Sequence, residues 1–251
     1  MEHHIAVENL LFMRTFYIVG GMLLVTAITS KFNRTFSTLA EFWITLISTF
    51  VILFTISAQA DNYPLNLILV ALFAALNGWM IGPTIEMIGE RFKLKKHLKN
   101  EGIKLKRRKH VSKDALSKFE ESFNRQDYHT EWQNLVFQAM TATALAVFTT
   151  GTTVYLTDYD FGWMGQLLFI CLFILIMMSI LNILFFKSRA LSLLRAYLGA
   201  VLFTFYLLFD FHRLKISDDD SWAKAIDISV NIYLDIINLF LEILQILADS
   251  N

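Results

Sequence analysis

The chain has 251 residues, 55% of them hydrophobic, with a mean hydropathy of +0.50 and only 2 Pro and 10 Gly, which excludes a soluble globule and predicts one polytopic membrane domain. A formal net charge of zero, from 22 Lys+Arg and 22 Asp+Glu, says little by itself because the charges are unevenly placed. The single cysteine, Cys171, lies in an apolar run and excludes an intrachain disulfide.

The N-terminal run MEHHIAVENLLFMR lacks the basic-then-apolar plan of a cleaved signal peptide, so the first apolar segment is expected to stay as a signal anchor. That segment is the first span, Phe16 to Ser30, starting near Leu11; Lys31, Asn33 and Arg34 follow in a short loop. Phe42 to Ala58 is a second span, rich in Thr and Ser that can bond back to their own helix. Gln59 to Pro64 reads as a turn, with Pro64 suited to a helix start. Leu65 to Ile88 is the third span, and residues 90–131 form a basic soluble insertion between helices 3 and 4. Trp132 to Leu156 is the fourth span, Trp163 to Phe186 the fifth and most purely apolar, and Leu191 to Leu208 the sixth, ending at Asp210. Residues 211–221 form a polar loop. Trp222 to Leu247 is the seventh span, and 1–251 is read as one all-α, seven-helix domain.

The seventh span carries Asp227, Asn231, Asp235, Asn238, Glu242 and Gln245 at steps of four, four, three, four and three residues. That spacing is one face of an α-helix. From Val230 to Leu247 every position off that face is apolar, so the segment is a membrane helix with a carboxylate-and-amide stripe. Lipid cannot host such a stripe; other helices must surround it or water must reach it.

Two further clusters lie within spans. In the third, Gly78, Gly82 and Glu86 share a face, with Pro83 beside them. This pattern fits close helix packing through small residues, or a Pro-loosened helix that brings Glu86 near a path. In the sixth, Tyr206 and Asp210 stand one turn apart, with His212 and Arg213 beyond; a carboxylate there is either solvated at the span's end or part of a site.

These residues resemble a known family. Tyr233-Leu-Asp-Ile-Ile-Asn-Leu-Phe240 is similar to the last-helix signature of the Bax-inhibitor-type family, the transmembrane Bax inhibitor motif proteins. Phe209-Asp210 after Leu198-Gly-Ala200 resembles its sixth-helix motif, and Gly78-x-x-x-Gly-Pro-x-x-Glu86 its third-helix motif. The resemblance implies six helices arranged around the seventh, a pH-sensitive calcium leak, and in eukaryotes a role against cell death. It carries over Asp210 and Asp235 as the pH sensor and gate, with a calcium contact there.

The chain departs from that pattern in three places. The turn between spans two and three, basic in the family with an arginine that latches the two aspartates, is here Asp61-Asn62 without Lys or Arg. The predicted result is a weaker closed state that still leaks at acidic pH. Lys and Arg number 18 on the side of the loops after spans one, three and five and 4 on the other, so the positive-inside rule places the N-terminus outside. The resemblance places it inside, and without the long insertion the count is 5 against 4, so both orientations stay open. The third departure is the insertion itself. Residues 91–109 are strongly basic, and Leu116, Phe119 and Phe123 recur at helical spacing after Ser112 and Asp114, as in a solvated short helix or an amphipathic arm on anionic lipid.

No enzyme chemistry is legible. His3, His4, His97, His110, His129 and His212 fit no zinc spacing, and no Ser/His/Asp set, phosphate loop or dinucleotide fingerprint occurs. Paired membrane aspartates also occur in intramembrane aspartyl proteases, but the Gly-x-Gly-Asp motif is missing before Asp235. The expectation is therefore a non-enzymatic calcium or cation leak, gated by Asp210 and Asp235 and lined by Asp227, Asn231, Asn238, Glu242 and Glu86. No cofactor is expected beyond calcium as a permeant or bound ion. The alternative is a non-conducting regulator of a membrane protease or channel. Its partners are the bilayer, cations and a membrane protein, not nucleic acid. A bacterial inner membrane is the expected location, with an internal eukaryotic membrane as the other.

Overall fold

The structure is a computed structural model that describes residues 2–100 and 123–250. Seven helices are long and apolar enough to cross a membrane. They are α1 (Glu2–Thr29), α2 (Leu39–Ala58), α3 (Leu65–Asn100), α4 (His129–Leu156), α5 (Met164–Leu181, continued by a wider turn to Phe186), α6 (Arg189–Lys215) and α7 (Trp222–Ser250). Local chemistry sets several ends. Thr38 caps α2 by accepting from the Glu41 amide at 3.1 Å, and Glu41 returns the favour by accepting from the Ser37 amide at 2.7 Å. Ser188 caps α6 through the Leu191 amide. At the far end of α6, the Lys215 ammonium donates to the carbonyls of Val154 and Thr157, closing the last turn of α4.

α7 stands in the middle, against α1, α3, α4 and α6. The other helices form two groups: α1 and α2 pack on α3, and α5 and α4 pack on α6. Between the groups the helices approach less closely: α3 meets α4 near Phe92 and Trp132, α1 meets α6, and Phe12 of α1 meets Tyr155 of α4. The core follows this plan, running from Leu11 and Met22 of α1 through Phe73 and Phe211 to Ile232, Tyr233 and Leu239 of α7. α5, the most apolar helix, buries only Met164, Leu168 and Leu175, and α2 only Thr45 and Ile56, so these two lie on the outside of the bundle.

Gly78 and Gly82 let α3 lie directly on α1. A Cβ on Gly78 would stand 2.7 Å from the Thr26 carbonyl, and one on Gly82 would stand 2.0 Å from the Asn33 carbonyl. Small-residue packing is thus the reading the structure supports. Pro83 does not loosen α3, which is helical throughout. Proline has no N–H to give the Trp79 carbonyl, and the Asn33 side chain donates to that carbonyl instead, at 3.0 Å. Asn33→Ala is expected to destabilise the chain by about 1–2 kcal/mol by orphaning that carbonyl. Gly82→Ala should cost more, because only backbone movement relieves its clash. Thermal unfolding of the detergent-purified variants checks both; a Gly82→Ala protein as stable as wild type would show that the α1–α3 contact is not this tight.

Two predicted boundaries are corrected. The third helix does not end at Ile88 but continues to Asn100. Its extra turns bury Ile88 and Phe92 against Trp132, Leu135 and Leu244, while Lys93, itself buried, pairs with Glu90 and the more exposed Lys96 pairs with Glu131. Lys95 donates to the Asp249 carbonyl at 2.8 Å, and Arg189 binds the Asp249 carboxylate at 3.0 Å, tying the end of α7 to α3 and α6. The basic insertion therefore begins as helix, and the amphipathic arm expected at 112–126 lies almost wholly outside the described residues. The sixth helix does not stop at Leu208 but runs to Lys215, which places Asp210 well inside it.

Candidate functional site

The site lies where α6 and α7 pack antiparallel. Glu242 of α7 rests against Gly199 of α6, where a Cβ would meet its carboxyl carbon at 2.9 Å. Counting equally along both helices from that contact sets the backbone of Asp210 opposite Asn231, one turn from Asp235. Side chains tilt toward their own helix N-terminus, so in an antiparallel pair these two lean toward each other. The carboxyls of Asp210 and Asp235 accordingly meet within hydrogen-bonding range. Both are buried, at 2% and 6% exposure, and Tyr206 lies beside them. The solvated reading of Asp210 is excluded. Oδ2 of Asp235 is buried without a hydrogen-bond partner. Two carboxyls in contact need a proton between them, or a cation, to coexist in so little water.

A basic side chain lies beside the pair, from α6 rather than from the turn between α2 and α3. Arg213 donates to Oδ1 of Asp210 at 3.2 Å and to Oδ2 of Asp227 at 2.7 Å, bridging α6 and α7 above the carboxyl pair. The turn between α2 and α3 has no Lys or Arg, and Arg213, three residues after Asp210 and on the same helical face, pairs with Asp210 but not with Asp235. In the connecting loop, the Ser221 amide donates to Asp219 at 2.9 Å and holds that carboxyl below its ordinary range.

The rest of the α7 stripe divides by environment. Asp227 is exposed beside Arg213, and Asn231 donates back to the Asp227 carbonyl at 2.9 Å. A cleft of about 270 Å³ between α2 and α7 reaches these two residues. Asn238 is half-buried and makes no hydrogen bond among the described residues. Glu242 is buried and held by Arg195 in a two-pronged ion pair, at 2.5 and 2.8 Å. Arg195, counted from sequence among the loop charges, is thus a helical residue neutralised within the bundle. Gln245 bonds to Asp249 at the end of α7. Glu86 is half-buried on α3, with no hydrogen bond or ion pair among the described residues. It is not drawn to the aspartates.

Two polar contacts that sequence reading missed fix α7 in rotation. The Thr26 hydroxyl donates to the Ala74 carbonyl at 3.0 Å, so the Tyr233 hydroxyl, 2.7 Å away, is the donor to Thr26. Ser229 donates to carbonyls of both Ala225 and Thr15. A lone Tyr or Ser in an apolar helix gave no hint of a partner. His212 points the other way, into the turn between α4 and α5, with Nε2 3.5 Å from Asp160. Among the described residues, no three His, Cys, Asp or Glu gather to hold a metal ion. Asp210 and Asp235 alone offer fewer oxygens than the ~6–8 that a bound Ca2+ takes.

The family model described as "Inhibitor of apoptosis-promoting Bax1" matches residues 8–94 and 128–251, passing over the basic insertion. The Golgi anti-apoptotic protein of Vaccinia virus (strain Lister) is 37% identical over 120 residues, 47% of this chain and 48% of its own length. Protein lifeguard 4 of Mus musculus is 40% identical over 121 residues, 47% of this chain and 48% of its own. An uncharacterised protein of Helicobacter pylori (strain J99) is 25% identical over 244 residues, 96% of this chain and 87% of its own. The chain spans about half the length of the viral and mouse relatives it matches.

Proposed function

The chain belongs to the Bax inhibitor family, and on that premise we propose that it is a pH-sensitive cation leak, permeable to calcium and gated by Asp210 and Asp235. The observation that carries this reading is the contact between two buried carboxyls from adjacent membrane helices, one with an oxygen that no partner satisfies. At low pH the pair shares a proton and, with Arg213, holds α6 to α7. At higher pH that proton leaves, and the second negative charge either pushes the helices apart or recruits a cation. Flux therefore rises with pH. The cleft at Asp227 and Asn231 supports this reading, since it ends one helical turn from Asp235. The role proposed is transport rather than catalysis, with calcium as a transient guest. The Helicobacter pylori relative, matched over 96% of this chain, favours a bacterial inner membrane as its place.

Purified protein in dye-loaded liposomes, assayed for calcium entry from about pH 5 to 8, tests the proposal. Flux that rises across that range supports it; no flux at any pH sinks it. A second reading is a non-conducting regulator, favoured by the printed name of the viral relative as an anti-apoptotic protein. Silent vesicles together with a co-purifying membrane partner would select that reading. Within the leak, Asn238 is the cleanest probe of the path because it has no partner to lose. Asn238→Leu is expected to lower calcium flux about fivefold, equivalent to ~1 kcal/mol of one lost polar contact, with unchanged thermal stability. Wild-type flux in this variant would place the path off the α7 stripe.

A further inference from the structure

Between α1 and α4, at the seam of the two helix groups, the structure has a groove with a volume of about 1060 Å³. That is the size of a site for a whole organic ligand. Its walls are Phe16 and Leu23 on one side and Phe148 and Tyr155 on the other, and its floor is Ile237 and Phe240 of α7. Along α1 it runs from Phe12 to Lys31. At ~1.5 Å per residue that is roughly 28 Å, nearly the full hydrocarbon thickness of a bilayer. The groove opens sideways within membrane-spanning segments, so hydrocarbon is what meets it. Left empty, an apolar slot this large forfeits dispersion contacts along its whole lining.

One end is different in kind. Lys31 lines the groove where α1 ends, is exposed, and has no carboxylate in ion-pair range among the described residues. Arg34 follows three residues on, equally exposed and equally unpaired among the described residues. A hydrocarbon slot with unneutralised cations at its mouth complements a molecule that is apolar for most of its length and anionic at one end. We propose that this groove holds an acyl chain of an anionic phospholipid whose phosphate rests on Lys31. The floor gives the occupant a mechanical role. Ile236 and Ile237 directly follow Asp235, and Phe211, which follows Asp210, also lines the groove. A filled groove supports α7 and Phe211 of α6 along the seam between α1 and α4.

The test is a photo-crosslinking map on the wild-type full-length chain in vesicles, using phosphatidylglycerol or phosphatidylcholine that carries a diazirine in one chain. The expected adducts concentrate on Phe148, Tyr155 and Ile237, with the outward residues Phe173 and Ile174 of α5 as the boundary-lipid control. The anionic probe should exceed the zwitterionic one by about fivefold at the groove, as for one basic residue near a lipid phosphate. Lys31→Glu should erase that preference. Ala144→Trp, which fills the groove, should remove groove adducts and leave those on α5. Adducts spread evenly between groove and α5 in the wild type would overturn the proposal. So would equal labelling by both headgroups, or protein–protein cross-links across the groove, which would assign it to a second copy of this chain. The wild-type map decides even if Ala144→Trp fails to fold.

Discussion

Asp235→Asn is expected to abolish the pH dependence of calcium flux while the bundle stays folded. Asp235 and Asp210 share one site, and Oδ2 of Asp235 has no protein partner. Replacing the acid by its amide removes the proton that comes and goes, and gives Asp210 a permanent donor in its place. One negative charge then remains beside Arg213 at every pH, and nothing drives α6 from α7. In the wild type, one titrating proton allows flux to change by up to about tenfold per pH unit; in Asp235→Asn the profile should be flat and low. Asp210→Asn should flatten it as well, with a loss of stability, because Arg213 then keeps only Asp227, which is exposed. Should flux in both variants climb with pH as in the wild type, these aspartates are not the sensor. His212, with a buried and unpartnered Nδ1, becomes the group to replace next.

The second large effect concerns Arg195 and Glu242. Glu242 is 7% exposed and its carboxylate takes both prongs of the Arg195 guanidinium. Breaking the pair from one side strands the other charge among apolar neighbours. Glu242→Gln or Arg195→Met is expected to destabilise the chain by about 3 kcal/mol. That is the low end for buried pairs, because the Arg195 side chain keeps 26% of its area exposed. The double variant Arg195→Met/Glu242→Met should recover to within about 1 kcal/mol of wild type, since apolar side chains of similar volume replace a buried pair at little cost. A double-mutant cycle by thermal unfolding in detergent checks this. Single losses that simply add would show that the pair is not coupled. Glu242, read from sequence as a residue of the pore or polar stripe, is held in an ion pair between α6 and α7. Any conducting path along α7 must release it from Arg195.

The central helix was legible in sequence because its polar stripe at helical spacing admits only a surrounded position. Gly78 and Gly82 were legible for a similar reason: one face of small residues predicts a close neighbour, and α1 is that neighbour. The pairing of Asp210 with Asp235 was not legible from spacing. Polarity after Phe209 suggested that the span ended there, which set Asp210 at an end and Asp235 at a centre. The helix continues because Arg213 is neutralised by Asp210 and Asp227, and Lys215 by carbonyls of α4. Charge on a sequence looks like a loop until its partner is known. Arg195 misled in the same way, as did the basic turns of α3 after Ile88, whose apolar face waits on Trp132 and Leu244.

The position of α7 has a consequence for how the chain is made. The six preceding helices fall into two groups, and α7 packs against members of both. A ribosome delivers α7 after all six. Until then the slot for α7 has no occupant, and the two groups lack the helix that packs on both. α7 in turn carries Asp235 and Glu242, which are poor passengers in lipid without Asp210 and Arg195 to receive them. Biogenesis of this chain therefore has a late, decisive step, in which the arrival of one helix joins two trios into a single body. A lesion in α7 should be sensed by membrane quality control as a failure of assembly, before any question of conduction arises.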